Sequence, residues 1–581
     1  MGNLRRGVEW AAGESHEDSS PKPGVLRGED WFGLAGWLRD STIPWSRDNQ
    51  EQDYMNIPLT PLRCLRYAEE QFKRNIAVVC DDKWFTYAQF AERVARLGGG
   101  LRAMGMEAGD RVAFLSSNCH RLLEAYYGVL EAGAVLLPLN IRLAAKELAY
   151  ILNDAEAKAL FFEGQFLPVV EAFRETAPSI KSFVLLDAEP KASWVGDNNY
   201  EEILAGAEEY RRDVMEVDEN SAAELFYTSG TSANPKGVML THRNIYLHAL
   251  NATITLRIPG DTVNLHTIPL FHANGWGTAH TVTLAGGKHV MIHQFIPAEV
   301  FRLVERERVQ ECFLVPTMAA ALLNCADRDK YDLSSLRRVV IGGAASSPTL
   351  VREVEEKFGC DCISGYGLTE TSPVLSFSPI KSGLPSTGSE RHARQAMAGF
   401  AIPGGEIRVV DGEGNDVPRD GETTGHVVAR GDGIMAGYWR QPEETDFAFR
   451  GGWFHTGDLA TIDEDGYVLI VDREKDIIIS GGENISSLEL ERTITAHPGV
   501  YEVAVIAVPH EIWGEVPKAC VVLRPGQMVT EIELLELCRS CLARYKCPKY
   551  IEFVEGLPKT GTGKILKREL RKGAEEQGKT A

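Results

Sequence analysis

The chain has 581 residues, more than one hydrophobic core usually supports, so at least two domains are expected. Hydrophobic residues make up 44% and charged residues 25%, an ordinary globular composition, and no apolar run of about 18 residues reads as a transmembrane helix. The net charge of −21 argues against nucleic acid as a partner, and it means that an anionic substrate has to be caught by local groups.

The start, Met1-Gly2-Asn3-Leu4-Arg5-Arg6, lacks the apolar core of a signal peptide, and Arg6 departs from the myristoylation pattern. Gly578-Lys579-Thr580-Ala581 is not a peroxisomal tripeptide, and the eleven scattered cysteines suit a reducing compartment, so the cytoplasm is the expected location. Cys538, Cys541 and Cys547 have no second Cys/His pair at zinc spacing and read as ordinary thiols. Residues 1–56 read as a polar, partly disordered extension with a short apolar face at Trp31, Phe32, Leu34, Trp37 and Leu38.

From Ile57 to about Phe400, short apolar strands alternate with amphipathic helices. The strands are predicted at Arg111–Ser116, Val135–Leu139, Ala159–Phe162, Phe183–Asp187, Cys312–Val315 and Val339–Ile341. Helical patterns include Thr86–Ala103, Arg121–Ala132 and Pro348–Lys357. This alternation predicts an α/β fold of mainly parallel sheets flanked by helices, with ligands beyond the carboxyl ends of the strands. After Gly399 the Asp-Gly turns at 411–412, 420–421 and 465–466 mark a hairpin-rich β segment. A last unit has helices at Ser487–Ala496 and Glu531–Arg544 and strands at Glu502–Val508, Ala519–Arg524 and Tyr550–Val554, the pattern of a small α+β domain. The expected division is therefore an extension (1–56), a large domain (57–472) and a small C-terminal domain (473–581).

The most informative stretch is Tyr227–His242, Tyr-Thr-Ser-Gly-Thr-Ser-Ala-Asn-Pro-Lys-Gly-Val-Met-Leu-Thr-His, between a strand-like run (224–227) and a helix-like run capped by Thr241. It offers hydroxyls at Thr228, Ser229, Thr231 and Ser232, glycines at Gly230 and Gly237, and the cation Lys236. Converging N–H groups, hydroxyls and a lysine suit a polyphosphate, although the spacing is not the Walker pattern and such a loop also occurs as a plain connection. Downstream, Pro269–Gly277 holds His272 and Trp276 among small residues, and Ile341–Ala345 ends a predicted strand in two glycines. Tyr366-Gly367-Leu368-Thr369-Glu370-Thr371 sets a hydroxyl beside a carboxylate of the kind Mg²⁺ takes. Asp458 suits a diol as a bidentate acceptor. Arg473, Lys475, the Ser480-Gly481-Gly482 turn and Lys564, in a Gly/Thr-rich loop, complete the set.

Together these strings, in this order, closely resemble the signatures of the acyl-adenylate-forming (AMP-binding) family, over about residues 57–572. The family usually has Gly where this chain has Ala233. The resemblance implies a two-domain, AMP-forming acid–CoA ligase that uses ATP, Mg²⁺ and coenzyme A. It assigns Thr228–Ser232 and Lys236 to phosphate, with Gly343, Ala344, Ala345, Gly365, Tyr366 and Gly367 around adenine. Asp458 and Arg473 fall to ribose and phosphate, Thr369 to phosphate, and Glu370 with Thr231 to the metal. His272, Trp276, Gly342, Pro373 and Val374 would line the acyl site, and Ser480, Gly481 and Gly482 the pantetheine path. Lys564 would be the adenylating lysine and Lys475 the hinge of a mobile C-terminal domain.

The implied substrate is an aliphatic medium- or long-chain acid, with aryl acids as the alternative. A homodimer is compatible with the resemblance. Three rival readings share these signatures: an adenylation enzyme loading a carrier protein, a luciferase-like oxygenase and a nucleotide-binding regulator with a dead site. No carrier domain follows Lys564, and Glu370, Asp458, Arg473 and Lys564 are all present, which favours the ligase. Lys567, Arg568, Arg571 and Lys572 read as solvated surface.

Overall fold

The structure is a computed structural model that describes residues 56–187, 194–195, 199–228, 235–385, 387–559 and 565–580, with side chains to residue 574. The expected N-terminal extension thus lies, except for Asn56, outside the described residues. From Pro58 onward the chain forms one compact unit.

Two large sheets hold the core. In the nine-stranded sheet the strands Ile76–Cys80, Lys288–Met291, Val263–His266, Glu311–Leu314, Arg338–Ile341 and Asp361–Tyr366 are mutually parallel neighbours. Short antiparallel strands close its edges. In the seven-stranded sheet Ser182–Leu185, Ala159–Phe162, Arg111–Leu115, Val135–Pro138 and Ala222–Thr228 are parallel, and Lys236–Thr241 returns antiparallel. The sequence-predicted strands recur within a residue or two.

Between the sheets lie the helices Leu62–Phe72, Tyr87–Ala103, His120–Glu131, His242–Leu256 and Thr278–Ala285, whose apolar residues share one cluster with strand residues of both sheets, such as Val78, Phe114 and Phe226. Local chemistry sets their ends. Thr86 and Gln89 form a reciprocal capping box on the second of these, and Thr241 with Asn244 does the same on the fourth. The outer face of the nine-stranded sheet carries Pro297–Glu307, Pro316–Leu323 and Pro348–Phe358, each opening on a proline at the position where no N–H is needed. Helices therefore cover both faces, which is why parallel strands can be apolar throughout.

The hairpin-rich segment is a four-stranded antiparallel sheet, Gly405–Val410, Gly425–Gly431, Phe454–Ile462 and Val468–Arg473. Beyond it a five-stranded sheet with the helices Ser487–Thr495 and Glu531–Cys541 encloses its own core around Ile478, Ile494, Val505 and Leu534. The junction is tied by Asp472, whose buried carboxylate accepts from the Ser487 N–H at 2.6 Å and the Ser487 hydroxyl at 2.7 Å, at the start of a helix. All eleven cysteines are free thiols, Cys538 buried and Cys541 exposed. Among the described residues no helix is long and apolar enough to cross a membrane.

Thr241 caps the helix His242–Leu256 as expected, but one strand was missed in the sequence. Between the Gly/Ser/Thr loop and that helix, Lys236–Thr241 pairs with Ala222–Thr228, Thr228 opposite Lys236. Val238 and Leu240 alternate into the core, a period of two that is too short to stand out beside the helix it precedes.

Candidate active site

The parallel neighbours Arg338–Ile341 and Asp361–Tyr366 run in register, Ile341 opposite Ser364, so Gly342–Ala345, just past one strand, lie beside Gly365–Gly367 at the carboxyl end of the other. A Cβ on Gly342 would stand 2.9 Å from the Gly365 carbonyl oxygen, and one on Gly367 1.9 Å from that of Pro373, so neither position admits a side chain. The missing side chains let these backbone segments approach one another closely.

The loop after the strand Val263–His266 is built on Asn118. Its Nδ2 donates to the carbonyls of His266 (2.7 Å) and Ile268 (2.9 Å), and its Oδ1 accepts from Leu270 N–H (2.7 Å). The chain then makes one tight turn in which Ala273, Asn274 and Trp276 have φ of 37°, 48° and 60°. Such a run of left-handed, non-glycine residues persists only where the surroundings dictate it. Here Glu224 does so from the strand Ala222–Thr228. Its Oε2 accepts from Asn274 Nδ2 and its Oε1 from His280 Nε2, each at 2.8 Å, and all three side chains are buried. Thr278 Oγ1 also donates to the Gly275 carbonyl at 2.8 Å.

The turn presents two sequence-predicted residues. Trp276 lays its indole against the paired glycines: a Cβ on Gly342 or Gly343 would come within 3.1 Å of its six-membered ring. It meets Phe313 edge-on at 6.5 Å and joins an apolar cluster with Ile258, Val315, Met318 and Val374. Pro373 is buried beside Val374, whose N–H donates to His248 Nε2 at 3.3 Å. His272 Nε2 is buried without a hydrogen-bond partner among the described residues. Burial, helped by the charge of Arg142, pushes this ring down to about 3, so it is neutral near pH 7.

The polar side is a chain of contacts. Glu370 sits in a single turn, Thr369–Thr371, held by Thr371 Oγ1, which accepts from Leu368 N–H at 3.0 Å. Burial raises the Glu370 carboxyl above its ordinary value, although the Tyr438 hydroxyl donates to Oε1 at 3.1 Å. Lys236 Nζ lies 5.3 Å from the centre of the Tyr438 ring and donates to Glu444 at 2.6 Å. Nearby, buried Asp458 accepts from the Tyr366 hydroxyl at 2.6 Å and faces Arg473 at 3.4 Å, its cross-strand partner. Sequence reasoning missed Glu224, Asn274, His280, Tyr438 and Glu444. Glu224, a carboxylate inside an apolar strand, was the one signal available.

Ser480 pairs with Glu483 across a turn in which Gly481 and Gly482 have φ of 60° and 88°. A Cβ on Gly481 would strike the Trp513 ring at 2.7 Å, while one on Gly482 would meet nothing within 4 Å. Lys475 is exposed between this turn and Arg473. Ser229, Gly230, Thr231, Ser232 and Ala233 lie outside the described residues, and so does Lys564, although Lys559 and Ile565 pair across the base of its loop. The reading of Lys567 and Arg571 as solvated is corrected: Lys567 binds Glu491 at 2.8 Å and Arg571 binds Asp476 at 2.6 Å, both bridging back to the junction.

Comparison with known proteins shows the family. The AMP-binding enzyme family matches residues 65–439, and the AMP-binding enzyme C-terminal domain residues 489–564. The chain is 42% identical to the long-chain-fatty-acid–CoA ligase of Thermus thermophilus, over 84% of this chain and 89% of that one. It is 38% identical to the 3-methylmercaptopropionyl-CoA ligase of Ruegeria pomeroyi, over 84% and 91%. Relatives from Arabidopsis thaliana named for butyrate and benzoate are 36% and 35% identical. The crystal structure of an anthranilate CoA ligase in complex with anthranoyl-AMP superposes with a TM-score of 0.80 at 27% identity, covering 89% of this chain and 98% of that one. The chain belongs to the AMP-binding enzyme family and is an AMP-forming acyl-CoA ligase.

Proposed function

We propose that the chain activates a hydrophobic aliphatic carboxylic acid, medium- or long-chain, through an acyl-adenylate to its CoA thioester, in the cytoplasm. The observation that carries the choice of acid is the apolar cluster of Trp276, Phe313, Val315, Met318, Ile258 and Val374, which contains no charged side chain. A carboxylate brought to the neutral His272 would meet an Nε2 with no hydrogen-bond partner among the described residues.

A carboxylate is a poor electrophile, so ATP supplies the leaving group. Two anions have to meet against their repulsion, and the chain's own cations lower that cost. Lys236 faces the phosphates from the end of its strand, where exchange of Glu444 for phosphate would free it. Arg473 and Asp458 hold the ribose, and Gly342–Ala345 with Gly365–Gly367 accept the adenine. Mg²⁺ would neutralise triphosphate charge, and the Glu370 carboxylate, with one oxygen not hydrogen-bonded among the described side chains, is the donor type it takes. Lys564 would reach the carboxylate and α-phosphate in the first step only. Treating 57–472 and 473–581 as two domains, rotation about Lys475 would then withdraw Lys564 and bring Gly481-Gly482 forward for the thiol.

A pyrophosphate-release assay over straight-chain, branched and aryl acids tests the reading. The expected result is highest kcat/KM for a straight-chain acid of medium or long length. Preference for benzoate- or cinnamate-like acids would overturn it.

A further inference from the structure

Away from the residues assigned to ATP, acid and CoA, a second cluster of chemically active side chains lies where two parallel strands of the nine-stranded sheet end. Cys80 closes Ile76–Cys80, Asp81 follows it, and His293 stands just past the neighbouring strand Lys288–Met291. His293 Nε2 is 2.9 Å from Asp81 Oδ2 and 3.8 Å from Cys80 Sγ, and the three donor atoms lie within 4.8 Å of one another.

The hydrogen bonds around His293 dictate which nitrogen faces the cluster. Ser117 Oγ donates to Glu163 at 2.7 Å, so at 3.2 Å from His293 Nδ1 it accepts, which assigns a proton to Nδ1. The Nε2 of a neutral ring then points a lone pair at the Asp81 carboxylate and the Cys80 sulfur. The Cys80 S–H, an extra proton on His293 or a metal ion can each hold these three electron-rich atoms together.

One further observation favours the metal. The Ser117–Glu163 support of Nδ1 is the arrangement that orients a ligating imidazole.

We propose that Cys80, Asp81 and His293 bind a zinc-type divalent cation. Bonds of about 2.0–2.3 Å place tetrahedral ligand atoms about 3.3–3.7 Å apart, so the Cys80–His293 pair, at 3.8 Å, is nearly at that spacing and the exposed Asp81 side chain has to swing into place. A thiolate with an imidazole selects Zn²⁺ or Co²⁺ over the Mg²⁺ of the nucleotide site. The ion acts as a clasp: its ligands come from one sheet, and Ser117 from the other, next to the Asn118 that holds the His272 loop.

The test uses the full-length chain, stripped with a chelator and titrated with Zn²⁺ or Co²⁺ alone. One equivalent is expected to bind, with a thiolate-to-cobalt charge-transfer band. His293→Gln should weaken binding tenfold or more while Mg²⁺-dependent AMP formation persists, and Cys80→Ser should remove the band. Because Cys80 is buried and its variant can fail to fold, the exposed His293 variant carries the decision. Equal affinity in His293→Gln, or no cobalt–thiolate band in the unsubstituted chain, would overturn the site and leave a cluster held by a proton.

Discussion

Replacing Trp276 by alanine should move the preference of the enzyme towards longer acids. The indole lies on Gly342–Gly343 and edges Phe313, at the rim of the apolar cluster. An aromatic side chain of this kind buries about 150–250 Å² when fully enclosed. Partly buried Trp276 covers on the order of 100 Å², worth about 2.5 kcal/mol at about 25 cal/mol per Å². A buried methylene is worth about 0.8 kcal/mol, so the vacated space accommodates about three. Each should raise kcat/KM for the longer acid about fourfold, and three about fiftyfold, relative to the acid best used by the unsubstituted chain. The assay is kcat/KM by pyrophosphate release along a straight-chain series, with Tm measured in parallel. If Trp276 only fills a core, its loss costs about 3–5 kcal/mol of stability and lowers every acid alike. An unchanged chain-length profile with a depressed Tm would refute the reasoning.

The remaining expectations concern the turn, the C-terminal glycines and pH. Glu224→Ala leaves Asn274 and His280 buried and unpaired at about 1–3 kcal/mol each, so KM for the acid should rise as the turn loosens; an unchanged KM with lowered Tm would confine Glu224 to stability. Gly482→Leu has room but a strained φ, and it should slow thioester formation while leaving adenylate formation within a fewfold. Loss of adenylate formation first would move the pantetheine path elsewhere. His242, His248, His266 and His272 are each pushed down to about 3, chiefly by burial. Unfolded histidines titrate near about 6.5, so below that pH the unfolded chain takes up protons that the folded chain does not. Stability is complete above about pH 6.5 and should fall by about 1.4 kcal/mol per pH unit for each histidine as pH drops, which thermal melts from about pH 8 to about pH 5 would read. A flat Tm over that range would contradict neutral burial.

What could be read from the sequence was local or periodic. Strand and helix alternation gave the parallel sheets, and Thr241 marked its helix because a cap depends on residues three apart. The glycines at 342 and 365 were legible as points of close backbone approach, but their adjacency depended on a strand pairing with no local signal. Tyr438, Glu444 and Glu224 escaped for the same reason: they reach Glu370, Lys236 and Asn274 from far along the chain. Lys567 and Arg571 looked like free surface charges, since a sequence does not display the carboxylates of Glu491 and Asp476 that hold them.

Rapid-quench analysis of products with CoA withheld tests the adenylate route most directly. With ATP, Mg²⁺ and a straight-chain acid, the chain should release pyrophosphate and accumulate acyl-AMP, which converts to thioester and AMP once CoA is added. Lys564→Ala should form acyl-AMP a hundredfold more slowly, a loss of about 3 kcal/mol or more, yet still convert pre-made acyl-AMP to thioester. Release of ADP and phosphate, or equal loss of both half-reactions in the Lys564 variant, would contradict it.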